Sequence, residues 1–236
     1  MFIGVGNPIP RIANLPGASR PGSGGGGGGG GGVAQVDNLY SFEFDGVESR
    51  FQTDSITLGN TFTFSLWINA NSFATNPVIL ASPNYFTSGF NGNFILRARN
   101  NQLLLASYNG NSTANQELII ASLTGSPSPL NAGQWYHVLL TNDGSTAIFY
   151  LNGSPITTTG VNTKSLEDLN NGLIIGDGDF RASTTNTCWN GKIDEVAVWN
   201  TALSATNAQN IYNATTTGKT ADLSSLSPVA WYRMGD

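Results

Sequence analysis

Three carboxylates stand close together near the front of the chain, in Glu43-Phe44-Asp45-Gly46-Val47-Glu48. Two carboxyl groups cleave a glycosidic bond when they face each other about 5 Å apart across a cleft, one serving as acid and base and the other as nucleophile. Strand alternation puts Glu43 and Asp45 on one face and Glu48 on the other, so the set is workable only if a bulge at Gly46 turns Glu48 over. No second acid-rich segment suggests subsites for a sugar chain, which argues against catalysis. Thiol chemistry fares no better. Cys188 is the only cysteine and His137 the only histidine. His137 lies in the strand-like Trp135-Tyr136-His137-Val138, and Cys188 beside Trp189 reads as a small buried filler rather than a nucleophile with a base. A lone cysteine also excludes an intrachain disulfide and a zinc site of paired thiolates.

The elements that must position these side chains are strands. Apolar residues 135–141, the turn Asn142-Asp143-Gly144-Ser145 and the returning stretch 146–151 predict one β-hairpin, since Asn, Asp and Gly tolerate positive φ. Alternation predicts further strands at 40–44, 61–68, 94–99 with 102–107, 117–121, 172–176, 191–199 and 229–233. Residues 122–133, with Pro127 and Pro129, read as a loop. Residues 204–212 read as a short helix, capped by Ser204 and docked through Leu203 and Ile211. The layout is all-β, with two packed antiparallel sheets.

The order of short motifs resembles the laminin-G-like family of concanavalin A-type jelly rolls. The matching words are Ser41-Phe42-Glu43-Phe44-Asp45-Gly46, Phe62-Thr63-Phe64-Ser65-Leu66-Trp67, Trp135-Tyr136-His137-Val138, Asp143-Gly144-Ser145, Tyr150-Leu151-Asn152-Gly153 and Gly191-Lys192-Ile193-Asp194-Glu195-Val196. The resemblance implies a jelly-roll domain over residues 39–236 with one short C-terminal helix. It places Trp67, Trp135, Trp189, Trp199 and Trp231 in the core. It implies calcium as the one expected cofactor, held by Asp45 and Asp194 where the first and last strands pair, or by Asp177 and Asp179 in a neighbouring acidic loop; solvated turn acids are the alternative. Tyr85, Phe86, Phe90 and Tyr108 fall among Asn, Ser and Gly where no core periodicity demands them, which makes them candidate stacking platforms for a glycan.

Charged residues make up 11% of the chain and the formal charge is −5, so the basic footprint of a nucleic-acid binder is missing. No stretch approaches the roughly 20 apolar residues of a membrane span, and residues 1–6 lack the basic region of a secretory signal. Residues 1–38 read as a separate arm. Phe2, Ile3, Val5, Ile9, Ile12 and Leu15 alternate with Pro8, Pro10 and Pro16, and nine glycines run from 24 to 32. Such a tract has the most backbone freedom to lose on ordering, so a partner must hold it. The arm, joined to a laminin-G-like domain, resembles virion proteins of tailed bacteriophages. That resemblance implies a non-enzymatic protein on the virion surface, with other virion proteins as partners of the arm, a homo-oligomer (a trimer suits bundled glycines) and host-surface glycans as ligands. The alternatives are a secreted or cell-surface carbohydrate-binding module and a glycoside hydrolase of laminarinase type.

Overall fold

The computed structural model describes residues 11–14, 33–47, 49–59, 61–73, 76–82, 94–99, 102–108, 117–123, 130–156, 158–159, 172–177 and 187–234. In chain order the strands are β1 (Arg11–Asn14), β2 (Gln35–Asp37), β3 (Tyr40–Asp45), β4 (Phe51–Gln52), β5 (Phe62–Ala70), β6 (Val78–Ala81), β7 (Phe94–Arg99), β8 (Gln102–Tyr108), β9 (Glu117–Leu123), β10 (Trp135–Asn142), β11 (Ala147–Leu151), β12 (Ser154–Ile156), β13 (Thr158–Thr159), β14 (Ile174–Ile175), β15 (Asn190–Trp199), β16 (Lys219–Ala221) and β17 (Ala230–Tyr232). The helix α1 (Ala205–Ala214) follows β15, and a 3-10 turn, Leu223–Leu226, precedes β17.

An eight-stranded sheet runs β1-β3-β15-β5-β10-β11-β12, with β17 continuing the β15 edge beyond β3. A seven-stranded sheet runs β13-β9-β8-β7-β6-β14-β4, and β2 with β16 forms a separate ribbon. The two large sheets close on Phe44, Phe64, Phe94, Leu96, Val138, Phe149 and Val196, which share one buried cluster. All eight residues of β10 are buried, because its outward side chains are covered too: Leu139, Tyr150, Ala197 and Trp199 pack beneath Ala208, Ile211 and Leu223. The first sheet therefore has apolar side chains on both faces, and its central strands lose strict alternation.

Local chemistry explains the turns. Asp143 Oδ1 accepts from the amides of Ser145 at 2.8 Å and Thr146 at 2.7 Å, and these bonds, Thr146's first, hold the exposed carboxyl below the usual range. Ser204 caps α1 by accepting from Asn207 N at 3.1 Å, and Asn207 Oδ1 accepts from Ser204 N at 3.1 Å, an arrangement worth about 1 kcal/mol. Tyr108, a candidate stacking platform in the sequence, is the last residue of β8, opposite Glu117, on a ladder that carries a bulge between Leu105 and Ala106. Trp231 departs from the expected core: it sits partly exposed on the short strand β17, its ring edge committed to a polar partner described below. The other four tryptophans are 0–3% exposed.

Candidate functional site

One end of the sandwich gathers polar side chains from four segments that sequence alone keeps apart. Asp45 ends β3 directly opposite Asn190, the first residue of β15. Its Oδ1 accepts from Val47 N at 2.9 Å and Ser49 N at 3.2 Å, which folds residues 45–49 into a tight turn with Val47 64% exposed at its tip. Gly46 takes φ +77°, and a Cβ there would meet Asn190 Cβ at 2.7 Å. Asn190 Oδ1 accepts from Asn71 Nδ2 at 2.9 Å. The third segment brings Asp177, buried, to Arg50 Nη1 at 3.2 Å, whose side chain is half-exposed. Cys188 lies between them, donating from Sγ to Val47 O at 2.9 Å. Burial first, and then the carboxylates of Asp177 and Asp45, push its thiol up to about 12. The cysteine is thus the inert filler that the sequence suggests, with no thiolate to offer at neutral pH.

This rim corrects the expected pairing of acids. Asp194 does not meet Asp45: it lies four residues farther along β15, opposite Trp67 of β5, and is fully buried with Oδ1 accepting from Glu195 N at 2.8 Å. The partner of Asp45 across the strands is Asn190, and the acid that shares its neighbourhood is Asp177. Asp179, Tyr85, Phe86, Phe90 and Glu48 fall outside the described residues, as do Phe2, Ile3, Val5, Ile9 and Leu15 of the arm. Ile12 stands in β1, opposite Phe42. A calcium ion needs several oxygens converging on one point. Among the described residues no three acid, His or Cys side chains group that way, and the buried carboxylate of the rim already faces a guanidinium. Asp45 acts as a turn former, and the expected pair Asp177 and Asp179 lies only half within the described residues.

Two other constellations look chemical and are structural. Ser65 Oγ lies 2.9 Å from His137 Nε2, with Asp194 on the neighbouring strand of the same sheet. Serine, histidine and aspartate suggest acyl transfer, but the three are 2%, 0% and 0% exposed, and the Tyr212 ring of α1 stacks over His137 and Trp67. No substrate carbonyl reaches that serine. The second is Glu195, 3% exposed within β15 at φ +53°. Its Oε1 accepts from Asn38 Nδ2 at 2.6 Å and its Oε2 from Trp231 Nε1 at 2.7 Å, while Arg233 Nε lies 3.6 Å from Oε1. Arg233 also donates to Asp37 O and lies over the Trp231 ring. One carboxylate therefore ties Asn38, just after β2, to Trp231 and Arg233 at β17. Glu195 is not among the site residues expected from sequence; its signal there is a second acid, directly after Asp194, within a strand-like stretch.

A sequence profile of laminin-G type, described as the concanavalin A-like lectin/glucanases superfamily, matches residues 45–209. The chain belongs to that superfamily. Among solved structures, a candidate carbohydrate-binding protein of Bacteroides ovatus superposes on this concanavalin A-like chain with a TM-score of 0.56 at 20% identity, covering 86% of it and 52% of the other. The chain thus spans about half the length of that protein. The CBM40 module of a Ruminococcus gnavus sialidase, bound to α2,3-sialyllactose, gives 0.53 at 15% identity over 77% of this chain and 100% of the module. The NanB sialidase of Streptococcus pneumoniae gives 0.55 at 17% identity over 76% of this chain but 28% of the enzyme. At such identities the likeness is one of fold. No curated protein matches the sequence.

Proposed function

We propose that this concanavalin A-like chain is a non-enzymatic structural protein of a tailed-phage particle, which binds host-surface carbohydrate through the rim around Asp45, Asn71, Asn190 and Arg50. The observation that carries the proposal is the separation of two ends of one strand. Asn38 enters the domain beside Glu195, clamped to the C-terminal strand. The rim lies at the far end of β3, about 17 Å away along six residues. A particle that grips the chain around Asn38 presents the rim outward.

The rim carries what a sugar needs: amide and guanidinium donors, carboxylate acceptors and one exposed apolar side chain, Val47. Solved relatives of this frame include a module bound to sialyllactose, which supports a glycan as ligand. Against hydrolysis, Glu43 and Asp45 lie near the edge of a sheet, on the face of β3 opposite to the core residues Phe42 and Phe44, and Asp45 is already tied to two amides. The virion setting rests on the Pro- and Gly-punctuated arm, and a trimer suits three glycine tracts side by side. A secreted carbohydrate-binding module is the second reading, favoured by the match over the whole of CBM40.

Host-envelope polysaccharide tests the ligand. The full chain is expected to bind it without releasing reducing sugar, and Arg50→Ala or Asn71→Ala to weaken binding about tenfold, or about 1.4 kcal/mol, with the melting temperature nearly unchanged for Asn71→Ala and lowered for Arg50→Ala, which leaves the buried Asp177 without its guanidinium. Sugar release would overturn the non-enzymatic reading. Full-strength binding by both variants would remove the rim from it.

A further inference from the structure

The edge of β3 is where the arm touches the sandwich. Residues Arg11–Asn14 pair antiparallel with it as β1, Arg11 opposite Glu43 and Asn14 opposite Tyr40, while the other side of β3 is held by β15. β1 ends that sheet and pairs with no strand but β3. Pro10 and Pro16 flank it in sequence, and a proline cannot donate to a ladder, which limits how far the pairing can extend.

Chain length is out of proportion to this pairing. In one molecule the segment after Asn14 must return only to Gln35, five positions before the residue opposite Asn14, a gap of about 17 Å at most. A hairpin connection takes about 2–5 residues; residues 15–34 are used here, nine of them consecutive glycines. Fully extended they reach roughly 66 Å, and as a glycine-rich coil about 25 Å on average. A domain of this size has a diameter on the order of 40 Å, so the same strand can be delivered to the next copy's edge.

We propose that the β3 edge is a strand-accepting surface, filled in the assembled protein by Arg11–Asn14 of a neighbouring copy. In dilute solution the tether keeps the strand at home, because it holds its own strand at about millimolar effective concentration. Packed side by side, copies bring their neighbours' arms to a similar local concentration, and a head-to-tail exchange closes into a ring without a new interface. The inference rests on the assembly role proposed for the arm.

Full-length chains carrying Arg11→Cys or Glu43→Cys, with Cys188 left in its buried site, are mixed, concentrated and oxidised. The expected result is a disulfide-linked heterodimer that takes up to about half of the chains in an equal mixture, because one head-to-tail junction in about four joins the two kinds in the productive order. An Asn14→Cys chain, three positions out of register, should link to Glu43→Cys at least tenfold less. Two results overturn the exchange: no heterodimer while the Arg11→Cys/Glu43→Cys double variant closes within one chain, or no link of either kind. If either occurs while deletion of the arm still abolishes assembly, the role of the arm stands and only the strand exchange falls.

Discussion

Gly191→Ala is expected to leave no folded, soluble protein at 37 °C. Gly191 sits in β15 between Phe44 of β3 and Ala70 of β5, at φ +139°, and an added Cβ would lie 2.1 Å from Asn69 O, 2.8 Å from Ala70 Cα and 3.0 Å from Asn71 N. All three are backbone atoms of β5 or of the residue that follows it, so relief requires moving β5 away from β15 and breaking the ladder that carries the rim. Overpacking of this kind, without a rotamer to yield, costs more than about 3 kcal/mol, a large share of the roughly 5–15 kcal/mol that hold a domain together. Gly133→Ala is the control. Gly133 also has positive φ, +77°, but nothing lies within 4 Å of its new Cβ, so only the strain of about 1 kcal/mol remains. Expression and thermal melting of the two variants separate close contact from backbone strain.

Glu195→Ala and Glu195→Gln are both expected to lower the melting temperature by about 10 °C. Removing one partner of a buried charged network costs roughly 3–5 kcal/mol, and each kcal/mol is worth about 2–4 °C in a domain of this size. The glutamine variant keeps the shape, yet Asn38 Nδ2, Trp231 Nε1 and Arg233 all donate to the carboxylate, so an amide nitrogen there would face a donor. Differential scanning fluorimetry checks this. A drop under about 3 °C for Glu195→Gln would show that the carboxylate is not the clamp described here.

What the sequence made legible was local. The Asp-Gly-Ser hairpin, the Ser204 cap with Ile211 turned inward and the burial of Cys188 all follow from neighbours a few positions away, and each stands as expected. What it hid depends on register between distant strands. Asp45 and Asp194 were paired by motif, but β15 is shared among β3, β5 and β17 with a bulge between Asp194 and Ala197, and that arrangement puts Asn190 opposite Asp45. Asp177 finds Arg50 across 127 positions and Glu195 finds Asn38 across 157. No periodicity carries such distances. The half-buried Trp231 packs against the second apolar cluster and has a partner no local pattern shows, a carboxylate 36 positions upstream.

The central claim is that an arm holds a sugar-binding sandwich on a particle, and deletion of residues 1–32 tests it most directly. The account predicts a truncated chain that still folds and binds polysaccharide, since the clamp at Asn38 is kept, with a melting temperature lowered only by the loss of β1 from the β3 edge, but missing from purified phage particles that contain the full chain at normal copy number. Truncated chain found in particles at that copy number, or full chain absent from every particle, would contradict it.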